Sequence, residues 1–124
     1  MHYLDFRLQM TKPARGAAWA LTATIIVFSV VPPHLRPVTP LAHNVEHFGI
    51  FYATGLAFAL GYRHCNLLLP TSLVSFAATV EVAQLFVPGR HARLSDFLFD
   101  AVAICVGLLT VLLMDGLLLS SPKT

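Results

Sequence analysis

The chain contains four long apolar stretches, and short polar or proline-containing segments separate them. They cover approximately residues 16–31, 45–62, 67–87 and 97–119. Each stretch approaches the roughly 20 apolar residues that cross about 30 Å of hydrocarbon as a helix. Helices also satisfy every backbone amide without outside partners. The pattern therefore predicts an all-α membrane protein, a bundle of four transmembrane helices with short loops.

The first and third stretches each have an alternative interpretation. The first follows Arg7, Lys12 and Arg15, as the apolar part of a signal peptide would, but no small-residue cleavage motif precedes Pro32. We therefore expect an uncleaved first helix. The third stretch is interrupted by polar residues, including Glu81, and its alternative is a re-entrant segment.

Composition agrees with a membrane-embedded chain of one domain. The 124 residues are 56% hydrophobic and 11% charged, whereas soluble domains carry about 25% charged residues. We expect a cytoplasmic segment at 1–15, the transmembrane domain at 16–119 and a tail at 120–124. The net charge of +2, without a basic run, argues against a nucleic-acid partner. Membrane lipids are the expected partners, no cofactor is predicted, and the oligomeric state is open.

The basic residues predict the orientation in the membrane. Five fall on the side of the two termini and three on the opposite side. The five are Arg7, Lys12, Arg15, Arg63 and Lys123, and the three are Arg36, Arg90 and Arg93. Because cytoplasmic loops carry an excess of Lys and Arg, we expect a multi-pass protein of the cytoplasmic membrane with both termini inside.

Polar and ionisable residues concentrate at the predicted extracytoplasmic end of the bundle. They are Glu46, His47, Glu81, Gln84, Arg90, Arg93, Asp96 and Asp100. Spacings of three or four residues place those on one helix on a common face. Three helices are therefore expected to direct polar side chains into one cavity.

Glu81 and Asp96 carry the most specific expectations. Glu81 lies about 9 Å inside the third stretch at 1.5 Å per residue, and an unpaired charge at the bilayer centre costs roughly 2.5–3.5 kcal/mol on insertion scales. We expect Glu81 to pair with or orient Arg90, or to be neutralised by Arg93, His47 or protonation. A purely structural ion pair is the alternative. Asp96 is expected to cap the fourth helix.

The stretch EVAQLFVPGR at 81–90, followed by Ser95-Asp96, resembles the signature of the VanZ-like membrane proteins. His47-Phe48 and Gly107 match further positions, so that the resemblance extends over about residues 16–115. This chain has His43-Asn44 where many members have Asp-Lys. It also has Asp100 and Ala103 where many members have Asn and Gly.

The resemblance implies a four-helix membrane domain and no particular reaction. Founding members are associated with reduced susceptibility to teicoplanin, a glycopeptide antibiotic that targets cell-wall precursors. We therefore expect a protein that binds or handles an anionic envelope or lipid-linked molecule. Arg90 and Arg93 would bind its phosphate or carboxylate, oriented by Glu81, Gln84 and Asp96. In the alternative, the arginines contact only lipid headgroups.

Two other classes of function remain open. His43-Asn44-Val45-Glu46-His47 reads H-x-x-E-H, as in some zinc peptidases. A membrane-embedded metal-dependent hydrolase would use His43, His47 and Glu81 as ligands, with Glu46 as the base. Alternatively, small residues every four positions, at Ala53, Ala57 and Gly61, would form a contact with a partner or a seam inside the bundle.

Overall fold

A computed structural model describes residues 2–62 and 66–120, and this part of the chain contains helices and no strand. The four α-helices are α1 (His2–Val30), α2 (His43–Gly61), α3 (Leu68–Gln84) and α4 (Leu94–Leu119). A short 3-10 turn at Pro33–Leu35 follows α1. The predicted all-α architecture of four helices is confirmed. Arg63, Lys123 and the predicted tail beyond Ser120 lie outside the described residues.

The four helices differ in how well they match a membrane span. Among the described helices, α1 and α4 are long and apolar enough to cross one. The 17 residues of α3 are apolar but extend only about 26 Å at 1.5 Å per residue. The 19 residues of α2 extend about 29 Å, but polar side chains occupy its first two turns.

The first helix begins earlier than the apolar pattern predicts. We expected a span at 16–31 preceded by a separate segment at 1–15, whereas α1 is continuous from His2 and includes Pro13. Proline normally weakens a helix interior because it lacks an N–H donor. Here Arg7, one of the buried residues of α1, contacts both α2 and α4 and thereby holds the N-terminal part of the helix against the bundle.

Around the bundle the helices are arranged in the order α1, α2, α4, α3, and α2 packs most extensively on α4. Two glycines permit this close approach. A Cβ on Gly55 would lie 2.5 Å from the carbonyl oxygen of Ile104, and a Cβ on Gly107 would overlap the carbonyl oxygen of Tyr52. Ala57 and Gly61 are also buried inside the bundle. These two residues therefore pack inside the bundle, which agrees with the interpretation of the small-residue repeat as an internal seam.

Candidate functional site

The polar residues predicted to converge do meet at one end of the bundle, which we call the cavity end. Here the C-terminal ends of α1 and α3 lie beside the N-terminal ends of α2 and α4. The contacts that define this end join Arg90 to α1, His47 to Asp100 and Glu81 to the backbone of Arg93. The individual partners differ from those expected.

The most buried polar contact at the cavity end joins α2 to α4. Asp100 is 0% exposed, and its carboxylate oxygens lie 3.2 and 3.4 Å from Nδ1 of His47. Nδ1 and Nε2 of a histidine have separate roles, and the partner of one fixes the protonation of the other. A buried carboxylate therefore orients the His47 ring and leaves its Nε2 for other contacts.

Glu81 does not form the expected ion pair with Arg90. The side chain is 7% exposed, and its Oε1 accepts a 2.7 Å hydrogen bond from the backbone N–H of Arg93. Its Oε2 is buried and has no partner among the described residues. The carboxylate thus links the end of α3 to the residue that precedes α4.

Arg90 is engaged by the backbone of α1 rather than by a carboxylate. Its guanidinium donates to the carbonyl oxygens of Phe28 and Val31, which lie at the end of α1 where carbonyls lack intrahelical partners. Burial and the nearby Arg36 lower the pKa of Arg90, while Glu81 opposes this, and the group remains a cation. The expected ligand-binding arginine is a cap of α1.

Asp96 does not cap the fourth helix through its side chain. The helix begins at Leu94, after Arg93, and no side chain of the N-cap residue bonds its first amides. Asp96 lies in the first turn, 3.5 Å from the hydroxyl of Ser95, where a carboxylate still interacts favourably with the helix dipole. The expectation was wrong by three residues because Leu94 and Ser95 already belong to the helix.

A cavity of about 480 Å³ opens between α1, the segment 32–42, the start of α2 and the end of α3. Its buried lining residues form a floor and its exposed ones a rim. The floor consists of Ile25, Ser29, Phe51 and Gln84, and the rim includes Pro37, Val38, Thr39, Leu41 and His43. Gln84 and the partly buried His47 and Glu46 are the predicted site residues that line it. Glu81, Arg90, Arg93, Asp96 and Asp100 lie outside it.

Arg36 is the cavity residue that sequence reasoning missed. It is the single Lys or Arg among the described lining residues, and its guanidinium lies 6.0 Å from the centroid of the Phe28 ring. One signal was available, since Arg36 is the single Lys, Arg, Asp or Glu between Gly16 and Glu46.

The H-x-x-E-H sequence does not assemble a metal site in the part of the chain that is described. No three His, Cys, Asp or Glu side chains there converge as ligands. The rings of His43 and His47 lie 4.3 Å apart between centroids, but Nδ1 of His47 faces Asp100. The geometry therefore gives the hydrolase hypothesis no support.

A second polar group, which we call the Arg7 cluster, lies at the opposite end of the bundle. It consists of Tyr3, Arg7 and Asp115 together with the last carbonyls of α2. Arg7 bonds both carboxylate oxygens of Asp115 at 3.0 Å and the carbonyls of Leu60 and Ala59 at 2.7 and 3.1 Å. Sequence reasoning missed this pair because 108 residues separate its members.

No family profile, curated protein or solved structure matches this chain. The resemblance of residues 81–96 to the VanZ-like signature remains a prediction from the motif. In the structure that motif holds the ends of α1, α3 and α4 together through Glu81 and Arg90.

Proposed function

We propose that this protein spans the cytoplasmic membrane with all four helices and binds an anionic amphiphile in its cavity at the extracytoplasmic face. The observation that carries the proposal is the cavity itself, with apolar walls and Arg36 beside them. Ligand sites are typically concave and mostly apolar, with a few polar groups that fix orientation.

Membrane embedding is supported by the outer surface of the bundle. Between Asp100 and Asp115, α4 carries no charged residue. Its exposed side chains include Val102, Leu109, Leu112, Leu113 and Leu117. A continuous apolar surface of this kind is rare on soluble monomers. Lipid tails would cover it.

Hydroxyl groups on the helices give independent support. Several donate their hydrogen bond to the carbonyl four residues earlier in the same helix, including Thr22, Thr24, Thr54, Thr79 and Thr110. Polar groups in hydrocarbon need internal partners of this type because no water is present.

The orientation follows from the distribution of charge. Because Arg7 contacts Asp115, the start of α1 and the end of α4 lie at the same end of the bundle. Lys12 and Arg15 also belong to that end, and the sequence count of five basic residues on the side of the termini against three on the other favours the cytoplasm for it. The cavity then opens at the extracytoplasmic leaflet.

The lining residues favour one negative charge attached to an apolar chain. Arg36 can form a two-pronged contact with a phosphate or carboxylate, and Ile25, Ile50 and Phe51 provide apolar walls. Glu46 also lines the cavity, and its carboxylate repels a second negative charge. The site therefore fits a monoanionic lipid or lipid-linked envelope molecule. The VanZ-like resemblance extends this proposal to cell-wall precursors and glycopeptide susceptibility.

Arg36→Gln tests the binding site, and Arg93→Gln is its matched control because Arg93 is exposed and does not line the cavity. We expect Arg36→Gln to weaken binding of an anionic lipid about tenfold, as for one charged hydrogen-bonded contact. Arg93→Gln should bind like the wild type. Native mass spectrometry in detergent with graded lipid measures both affinities. Equal affinity of Arg36→Gln and wild type would remove the proposed site.

The same two variants test the link to antibiotic susceptibility. Cells that express the wild type at a level matched to both variants are compared for the teicoplanin concentration that inhibits growth. We expect protection by the wild type and by Arg93→Gln and its loss in Arg36→Gln. Equal susceptibility with and without the protein would remove the glycopeptide role and leave lipid binding to be judged separately.

A further inference from the structure

We infer that the cavity floor recognises a hydroxyl group, so that the preferred ligand is a monoanionic lipid whose headgroup carries one, as a phosphoglycerol headgroup does. This inference rests on the proposed function and specifies its ligand class. Arg36 binds the negative charge of the ligand, whereas the cavity floor forms hydrogen bonds with a neutral polar group. Three side chains carry the argument, and they belong to α1, α2 and α3.

Gln84, the last residue of α3, has a polar side chain without a partner. It is 5% exposed, it lines the cavity, and its amide makes no hydrogen bond to any described residue. Its amide is not among the fully buried atoms that lack a partner, so it is accessible from the cavity that it lines. A ligand group that both donates and accepts hydrogen bonds matches this amide, because the amide offers both functions.

His47 contributes a ring nitrogen to the same cavity. Its Nδ1 contacts the carboxylate of Asp100, so Nε2 is the ring nitrogen left to contact a ligand. Nε2 makes no hydrogen bond to a described residue. Asp100 acts here as a positioning residue, which orients the ring through its buried carboxylate in the way that second-layer carboxylates orient metal-binding histidines.

Ser29 completes the polar floor. Its hydroxyl proton is donated to the carbonyl of Ile25 at 2.6 Å, so that its oxygen can only accept. The floor and the adjacent His47 thus present one acceptor from Ser29, one ring nitrogen, and one amide with both functions. A hydroxyl donates one hydrogen bond and accepts another, which fits this set.

The charge pattern excludes the two nearest alternatives. A second anionic group would meet Glu46 and Ser29, neither of which donates a hydrogen bond to it. A hydrocarbon headgroup would leave the Gln84 amide buried and unpaired. Sites built to hydrogen-bond a hydroxyl reject analogues that lack it more strongly than apolar pockets reject a missing methylene.

Two lipids with the same charge and acyl chains test hydroxyl recognition by the floor separately from charge recognition by Arg36. Phosphatidylglycerol carries two headgroup hydroxyls, and phosphatidylpropanol carries none. We expect the wild-type protein to bind phosphatidylglycerol about tenfold more tightly. Native mass spectrometry of the full chain in detergent, with each lipid titrated separately, gives the ratio of the two affinities.

Amino-acid substitutions test whether the ratio of the two lipid affinities depends on the cavity floor. Gln84→Met keeps the side-chain volume and removes both hydrogen-bonding functions, so we expect its affinity ratio to fall to about one. Gln9→Met, on an exposed position of α1, is the matched control and should keep the wild-type ratio. Arg36→Gln should weaken both lipids by the same factor and leave the ratio unchanged. Gln84→Leu replaces Gln84→Met if the latter does not fold.

The outcomes distinguish the inference from the proposed function. Equal affinity of the wild type for both lipids overturns hydroxyl recognition while Arg36-dependent binding stands. A tenfold ratio that survives both Gln84 substitutions overturns the assignment to the floor. Tighter binding of zwitterionic phosphatidylethanolamine than of phosphatidylglycerol also overturns it. If neither anionic lipid binds, the proposed function fails together with the inference.

Discussion

At the Arg7 end of the bundle every hydrogen-bonding atom of the arginine is paired, whereas at the cavity end several buried polar atoms are not. Arg7 bonds two carbonyls and both oxygens of Asp115, which also accepts from the hydroxyl of Tyr3 at 2.6 Å. At the cavity end Oε2 of Glu81 and Nε of Arg90 are buried without described partners. The Gln84 amide, which is accessible from the cavity, makes no hydrogen bond to a described residue.

This difference distinguishes a polar cluster that holds the helices together from a candidate binding site. A fully paired buried network fixes the helices that it joins, and the Arg7 cluster joins α1, α2 and α4. Buried polar atoms that lack partners are uncommon in native proteins and call for an explanation, such as water, an ion or a ligand. The two ends should therefore respond in opposite ways when polar groups are removed.

Removal of Arg7 should produce the largest loss of stability. Arg7→Met leaves the Asp115 carboxylate and the last carbonyls of α2 without their main partner. Loss of one member of a buried pair typically destabilises by about 3–5 kcal/mol, and partial exposure of Asp115 reduces this to about 2–3 kcal/mol. Reversible unfolding in mixed detergent micelles, followed by the fluorescence of the single tryptophan, measures the change.

The control for Arg7 is Lys12→Met, since Lys12 is exposed on the same helix. Exposed substitutions usually change stability by less than about 0.5 kcal/mol. A double substitution of Arg7 and Asp115 should be less harmful than the sum of the two single ones. If Arg7→Met is as stable as Lys12→Met, the Arg7 cluster does not stabilise the bundle, and the proposed difference between the two ends is wrong.

The sequence predicted the helices better than the contacts between them. Apolar stretches set where α2, α3 and α4 lie to within three residues, because hydrophobic length decides helix position in such chains. The convergence of His47, Glu81 and Asp100 at one end also followed from their positions in those stretches. The pairing did not follow. Arg90 bonds the end of α1 because the segment after α3 passes that end. The path of this segment cannot be predicted from the spacing of residues within one helix.

The Arg90 cap of α1 should contribute less stability than Arg7 does. Arg90→Met leaves the carbonyls of Phe28 and Val31 without their donor, and we expect a loss of about 1–2 kcal/mol. Arg93→Met is the matched control because Arg93 contributes only its backbone N–H at this end. The same detergent unfolding assay compares the two. A loss of stability as large as that of Arg7→Met would show that Arg90 stabilises the cavity end as strongly as Arg7 stabilises the opposite end.

The smallest effect is expected at Glu81, and it distinguishes the two ends most sharply. Glu81→Gln keeps an oxygen for the backbone N–H of Arg93 and replaces the oxygen that has no described partner with an amide. Removing a buried carboxylate relieves its desolvation, so stability should stay equal or rise by up to about 1 kcal/mol. Glu81→Leu removes the acceptor as well and should destabilise by about 1–3 kcal/mol. If Glu81→Gln were as destabilising as Glu81→Leu, the second oxygen would be a structural partner, and the cavity end would be as closed a network as the Arg7 cluster.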